Sequence, residues 1–155
     1  ALRQAYAGPL ALVRPTLVYG LNDPHNGYGP NRFRRLATQG QDIVLFGEGE
    51  ERRDHVDVQD VAELVLHIVR RRSAGIANAV SGQVASFREL AEFAASAFLP
   101  QVTVRGSTRV GAMPHDGYRA FDNSELCAAL PGLHFKHWQE GLKQVHQQQV
   151  AGKAS

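Results

Sequence analysis

Short apolar stretches of strand character alternate with segments of helical periodicity along this 155-residue chain. The strand-like stretches are predicted at 11–19, 43–46, 56–58, 76–80 and 102–105. Helices are predicted at about 31–38, 61–72, 87–98, 123–130 and 138–150. This order predicts an α/β or mixed α+β fold. The two most apolar stretches, 11–19 and 76–80, have the character of parallel strands covered on both faces. Because two strands alone make a poor sheet, the chain is predicted to need more strands than it carries.

Pairs of capping residues predict where three of these helices begin. In a capping box, the first side chain accepts a hydrogen bond from the backbone N–H three residues on, and an acidic side chain there reaches back. The candidate pairs are Asp60 with Glu63, Ser86 with Glu89, and Asp122 with Glu125. Pro15 lies within the first apolar stretch, and it predicts a bulge or a strand end there.

Composition and charge exclude several classes of function. A formal net charge of +2 is too weak to indicate a nucleic-acid partner, and no apolar run is long enough to span a membrane. The single cysteine, Cys127, cannot form an intramolecular disulfide, so a reducing, cytoplasmic location is expected. The pairs His55–Asp57 and His134–His137 each lack a third ligand at a metal-binding spacing, so no metal is expected.

Two glycine-based phosphate loops are also excluded. Gly47-x-Gly49 follows a predicted strand, but the third glycine of a dinucleotide fingerprint would fall on Arg52. A P-loop ends in Gly-Lys-Ser/Thr, and no lysine precedes Lys136 in this chain. The segment 47–49 is therefore interpreted as a turn.

Two further segments leave a structural and a functional interpretation open. Residues 48–54 are dense in charge, which fits either a solvated turn with surface ion pairs or an arginine aimed at an anionic ligand. Guanidinium suits phosphate because its planar fork makes bidentate hydrogen bonds. The loop 21–31 mixes glycines, amides and an aromatic residue, and it is either a covering connection or a functional loop.

Four segments, in this order, carry a resemblance to a known family. They are Arg14-Pro15-Thr16-Leu17-Val18-Tyr19-Gly20, Ile43-Val44-Leu45-Phe46-Gly47-Glu48-Gly49, Arg53-Asp54-His55-Val56-Asp57-Val58-Gln59-Asp60-Val61-Ala62, and Asp122-Asn123-Ser124-Glu125-Leu126 before Glu140-Gly141-Leu142. Together they resemble the C-terminal half of the extended short-chain dehydrogenases, the NAD-dependent epimerase/dehydratase family. The resemblance spans nearly the whole chain.

The resemblance implies a Rossmann sheet that binds NAD or NADP and a smaller C-terminal lobe that holds a nucleotide sugar. Pro15 and Thr16 would lie beside the nicotinamide. Arg53 would contact the diphosphate of the nucleotide sugar. A second family arginine would meet the same diphosphate; here it is Arg109 or Arg119, and spacing does not decide between them.

Three more positions follow from the same resemblance. Asn31, at the start of the helix after the long loop, would lie near the nucleotide. Asp60 matches a family aspartate, and capping explains it without any ligand. Leu17 stands where many members carry asparagine, so an amide facing the substrate is absent.

The family's Tyr-x-x-x-Lys pair, in which the lysine lowers the pKa of a catalytic tyrosine, is not found in this chain. The residues four positions after the tyrosines are Leu10, Asp23, Arg32 and Asp122. Residues 1–155 are therefore expected to form the C-terminal, substrate-binding part of such an oxidoreductase or isomerase. That part would hold two strands of the Rossmann-type sheet plus a small mixed α+β lobe. The N-terminal Rossmann half would be absent, and no catalytic residue would be present.

Two alternatives remain. One is a non-enzymatic module that binds a nucleotide sugar. The other is a structural half that pairs with a separate N-terminal chain or with itself, as the exposed edges of an incomplete sheet favour.

Overall fold

The structure is a computed structural model that describes residues 7–98 and 102–153. In chain order the elements are β1 (Ala11–Pro15), β2 (Leu17–Tyr19), α1 (Pro30–Thr38), β3 (Ile43–Phe46), β4 (Arg52–Asp57), α2 (Val58–Arg70), β5 (Gly75–Ala79), β6 (Val84–Ser86), α3 (Phe87–Phe98), β7 (Val104–Ser107), a short turn of helix (Pro114–Gly117), β8 (Tyr118–Arg119), α4 (Ser124–Ala129) and α5 (Trp138–Lys153). None of the described helices is long and apolar enough to cross a membrane.

The strands form small sheets that are mostly parallel, so the predicted α/β class is confirmed. β1 pairs with β5, and β3 pairs with β7, both in parallel. β4 is the central strand of a third sheet, where it runs parallel to β2 and β8 and antiparallel to β6. Strands β6 and β8, which have three and two residues, were not predicted, because such short runs carry no readable periodicity.

The first predicted strand divides at Thr16 into two strands that belong to different sheets. β1 follows β5 as far as Pro15, and the Thr16 N–H donates to the Ala79 carbonyl at 3.2 Å before the chain crosses to β4. The predicted strand end is therefore present. The predicted cover on both faces is wrong, because Leu17 is 44% exposed and Ile76 is 53% exposed.

One of the three predicted capping boxes is confirmed. The Ser86 Oγ accepts from the Glu89 N–H at 3.0 Å, and the Glu89 carboxylate accepts from the Ser86 N–H at 2.7 Å. Helix α3 begins at Phe87, directly after Ser86, and Glu89 lies in its first turn. Pro100, which we expect to end it, lies outside the described residues.

The other two boxes are wrong. Helix α2 begins three residues earlier than predicted, and its N-cap is Asp57, whose carboxylate accepts from the Gln59 N–H at 2.7 Å. Asp60 instead accepts from the backbone N–H of Lys136 at 2.8 Å and forms an ion pair with that lysine's ammonium group. Asp122 accepts from the N–H of Ser124, two residues on, as in an Asx turn.

Two clusters of buried apolar side chains hold these elements together. The larger one joins α1, α3 and α5 to β3 and β2 through residues such as Phe33, Leu90 and Leu142. The smaller one packs α2 against β5 and includes Leu64 and Leu133. The charged central strand β4 passes close to both clusters, and five of its six residues are buried.

Candidate functional site

A cavity of about 270 Å³ opens where the β1–β2 junction meets β4 and β8. It is lined by Pro15, Thr16, Leu17, Arg53, His115, Arg119 and Phe121. Four of the six predicted site residues, Pro15, Thr16, Arg53 and Arg119, therefore lie around one cavity. We refer to it below as the arginine cleft.

Strand register around β4 explains this convergence. Arg53 is the register partner of Arg119 on β8, so the two side chains leave the same face of neighbouring strands. Leu17 is the partner of His55 on the other part of β4. The Thr16 hydroxyl donates to the Asp54 carbonyl at 3.0 Å, which fixes the β1–β2 junction against β4.

Arg53 is a buried cation whose guanidinium is held from several sides. Arg53 as a whole is only 7% exposed. Nη1 donates to the Arg52 carbonyl at 3.0 Å and Nη2 donates to the Pro114 carbonyl at 2.6 Å. Nη2 also forms an ion pair with the Glu51 carboxylate. The guanidinium is therefore oriented in advance of any ligand.

Arg119 is exposed and lies beside Arg53. Its Nη1 is 2.9 Å from His115 Nε2, and its guanidinium lies 5.2 Å from the centroid of the Phe121 ring. Like charges opposite each other on neighbouring strands are destabilising. An anion within reach of both guanidinium groups would therefore relieve the repulsion between Arg53 and Arg119.

The other two predicted residues lie outside the arginine cleft. Asn31 is buried at the start of α1, where its Oδ1 accepts from the Gly20 N–H at 3.2 Å and ties α1 to the end of β2. Arg109 follows β7, and its Nη2 donates to the Phe46 carbonyl at 3.1 Å. Arg109 also lies 3.7 Å from the Glu51 carboxylate, so it shares that carboxylate with Arg53.

Asp54 fixes the turn between β5 and β6 behind the cleft. Its residue is fully buried, and its carboxylate accepts from the backbone N–H groups of Ser81 at 3.0 Å and Gly82 at 2.8 Å. Burial raises the pKa of the Asp54 carboxyl, and these hydrogen bonds oppose the rise. Asn123 completes the anchor by donating to the carbonyls of Val80 and Ser81.

His115, Phe121 and Glu51 are site residues that sequence reasoning missed. The segment that holds His115 has no hydrophobic period, and the two-residue strand β8 is too short to predict. Glu51 belongs to the charged segment 48–54, for which an arginine directed at an anion was one of the two interpretations. The structure shows that the segment holds a buried ion pair rather than a fully solvated turn.

We expect His55 to make stability pH-dependent. Its ring is buried against Phe87, and its Nδ1 lies 3.1 Å from the Arg53 carbonyl. Burial lowers the pKa of the His55 imidazole to about 4, so protonation favours the unfolded chain. Its contribution is therefore complete above the ordinary histidine pKa and is lost as the pH falls from about 6.5 towards 4.

Chemical unfolding at a series of pH values measures this contribution. Between pH 6 and 5 the unfolding free energy should fall with a slope that approaches about 1.4 kcal/mol per pH unit from this one proton. His55→Asn, which keeps a donor near the Arg53 carbonyl, should flatten the slope. Equal slopes for the two proteins would assign the effect to other groups.

A cleft where neighbouring strands bring two arginines together suits a phosphorylated ligand, because guanidinium groups bind phosphate oxygens in a bidentate manner. The sequence model of the NAD-dependent epimerase/dehydratase family matches residues 1–81, and the chain belongs to this family. A curated relative agrees: dTDP-L-rhamnose 4-epimerase of Burkholderia thailandensis is 31% identical over 129 residues. That alignment covers 79% of this chain and 34% of the relative.

Solved structures share the fold. UDP-glucose 4-epimerase of Thermus thermophilus, solved as a complex with NAD, superposes with a TM-score of 0.76 at 27% identity, over 93% of this chain and 47% of its own. An epimerase from Methanothermobacter thermautotrophicus gives 0.80 at 18% identity, over 94% of this chain and 44% of its own. The chain thus spans about a third to a half of the length of the proteins it matches.

Proposed function

We propose that this chain is the substrate-binding part of an NAD- or NADP-dependent nucleotide-sugar epimerase or dehydratase. The observation that carries the proposal is the arginine cleft, where Arg53 and Arg119 lie side by side next to Pro15 and Thr16. Guanidinium groups in this arrangement suit the two phosphate groups of a nucleotide sugar, since each fork can bind phosphate oxygens in a bidentate manner.

Each part of the cleft has a role in this proposal. Arg53, oriented by its hydrogen bonds to the carbonyls of Arg52 and Pro114, holds one phosphate group, and Arg119 approaches from β8. Arg109 is the other candidate for the second arginine, and it shares the Glu51 carboxylate with Arg53. Asn31 acts indirectly in this arrangement, since its side chain positions the end of β2.

Pro15 and Thr16 fit one wall of a nicotinamide site. They line a cavity of about 270 Å³, just below the range of about 300–1,000 Å³ that holds a drug-sized ligand, so they cannot enclose a dinucleotide. The bound cofactor would accept and return a hydride from the sugar. Thr16 is held by the Asp54 carbonyl and would keep the wall in place.

We further propose that these 155 residues do not complete the chemistry. Proton transfer to or from a sugar hydroxyl needs a group whose pKa is tuned towards neutrality, and a neighbouring cation does this for a phenol. Tyr19 has the opposite environment: burial, and then the carboxylates of Asp57 and Asp60, raise its pKa well above the ordinary phenol range. We therefore expect ligand binding without turnover.

Calorimetric titration with inorganic pyrophosphate and with UDP-glucose tests the proposal. Arg53→Gln should weaken binding of both ligands by at least about tenfold, because a hydrogen-bonded charge pair is lost. Arg52→Gln is the matched control, because the Arg52 side chain pairs with Glu89 at 3.3 Å and is half exposed. It should change affinity by about twofold at most.

Parallel titrations of Arg109→Gln and Arg119→Gln identify the second arginine. Pyrophosphate binding should weaken only in the variant that lacks the arginine in contact with the diphosphate. Circular dichroism checks that each variant is folded. A folded wild-type chain that binds neither ligand, or an Arg53→Gln variant that binds like wild type, would refute the proposed function.

A second candidate function is a structural half that pairs with another chain or with itself. The observation that favours it is the β1–β5 ribbon, which shows Leu12 at 38% and Ile76 at 53% exposure and pairs with no further strand among the described residues. Light scattering tests it. If the protein is a monomer that stays folded on dilution, self-association is excluded.

A further inference from the structure

Glu51 joins the two arginines that flank it in space. Its Oε1 forms the ion pair with Arg53 Nη2, and its Oε2 lies 3.7 Å from Arg109 Nη1. The Glu51 side chain is only 13% exposed, and those of Arg53 and Arg109 are 8% and 20% exposed. This carboxylate therefore lies in a largely closed space between two guanidinium groups.

One carboxylate that places its two oxygens on two different guanidiniums resembles a bound phosphate group. Both anions offer oxygens to planar N–H forks, and both neutralise cations that would otherwise repel each other. Arg109 also meets a second carboxylate, since its Nε lies 3.4 Å from Glu50 Oε1. Two acidic side chains, Glu50 and Glu51, therefore neutralise the guanidinium groups of Arg53 and Arg109 while no ligand is bound.

The main chain at Glu51 is held by contacts that do not involve its side chain. Glu51 immediately precedes β4, and its carbonyl accepts from the Phe87 N–H at 3.1 Å. The preceding turn contains Gly47 and Gly49, both with positive φ. The main chain is anchored while the side chain ends at a cluster of charges beside the cleft.

We propose that Glu51 is an internal competitor for the diphosphate. Its carboxylate occupies the guanidinium groups of Arg53 and Arg109 while no ligand is bound, and it leaves them when a diphosphate arrives. This proposal rests on the proposed function, because it assumes that Arg53 receives the ligand's phosphate. The conformation able to bind is then only a fraction of the free protein, and apparent affinity is reduced by that fraction.

Titration of inorganic pyrophosphate into the full chain tests the competitor. Glu51→Gln should bind pyrophosphate about tenfold more tightly than wild type, since a competing charge-assisted hydrogen bond is removed. Glu50→Gln is the matched control: Glu50 is the adjacent acid, is 44% exposed and contacts Arg109 but not Arg53. Its affinity should stay within about twofold of wild type.

Thermal unfolding gives a readout that a purely structural role would not produce. Without pyrophosphate, Glu51→Gln should melt at a lower temperature than wild type, because the buried Arg53 loses its counter-charge. Saturating pyrophosphate should raise the melting temperature of Glu51→Gln more than that of wild type. If saturating pyrophosphate does not reverse the lowered melting temperature of Glu51→Gln, Glu51 is only a structural partner of Arg53.

The possible outcomes distinguish failure of the competitor proposal from failure of the proposed function on which it rests. If wild type binds pyrophosphate, Arg53→Gln does not, and Glu51→Gln binds no tighter than wild type, the cleft is an anion site and the competitor is refuted. If neither wild type nor Glu51→Gln binds, the proposed function fails and the competitor fails with it. Glu51→Thr repeats the test without a carboxylate or an amide if the glutamine variant does not fold.

Discussion

Asp54→Ala should lower the free energy of unfolding by about 3 kcal/mol, because it removes a fully buried carboxylate that accepts from two backbone N–H groups, one buried and one partly buried. Those groups belong to Ser81 and Gly82 in the turn between β5 and β6. An orphaned buried donor costs about 1–3 kcal/mol, and the removed side chain also leaves a cavity. Urea unfolding measures the change. Asp54→Asn should fall between alanine and wild type, since its amide keeps one acceptor oxygen.

Asp122→Ala is the control for that experiment. Its carboxylate also accepts a backbone N–H, from Ser124 at 2.9 Å, but Asp122 is exposed and water can replace the bond. We therefore expect a much smaller change for Asp122→Ala than for Asp54→Ala. Comparable losses at the two positions would mean that burial of the Asp54 carboxylate does not decide its contribution.

Gly141→Ala should destabilise the chain by about 3 kcal/mol, at the upper end of the range for overpacking. Gly141 lies in α5 where the helix passes over the Tyr19 ring, which is only 1% exposed. A Cβ there would overlap the Tyr19 hydroxyl and lie 2.8 Å from Cζ and 3.0 Å from Cε2. A rigid buried ring cannot yield as a flexible side chain would, so either the helix or the strand must shift.

Two further variants isolate the clash as the cause. Gly152→Ala lies in the same helix, where a Cβ meets no described atom within 4 Å, and it should leave stability unchanged or slightly raised. Tyr19→Phe removes the hydroxyl, so Gly141→Ala should cost less in that background. A double-mutant cycle measured by urea unfolding gives the coupling directly. Additive changes in the free energy of unfolding would show that the methyl group added at position 141 does not act through the Tyr19 hydroxyl.

The sequence predicted the regular elements best where several local signals agreed. At Ser86 the capping box and the apolar period both point to one helix start, and the structure has it there. At Asp60 the same type of signal failed, because Asp57 competes for the cap and the acid at position 60 finds Lys136 instead. That partner lies 76 residues away, so no local pattern could reveal it.

The candidate site was predictable only as a set of separate residues. Resemblance supplied Pro15, Thr16 and Arg53, and the cleft that joins them depends on register between β4 and a two-residue strand. The choice between Arg109 and Arg119 stays open for the same reason. The structure brings both to Arg53 from different sides, one through a shared carboxylate and one through strand pairing.

Strand β4 also limits how a protein of this kind can acquire new specificity. Within three consecutive residues it carries the cleft-lining Arg53, the turn anchor Asp54 and the buried His55. Under the proposed function, substitutions there change binding and folding together, so selection has little freedom to alter one without the other. Residues 108–121, by contrast, carry Arg119 and Phe121, and this segment consists of short, mostly exposed elements. Divergence in substrate preference should therefore accumulate in that segment while β4 stays the same.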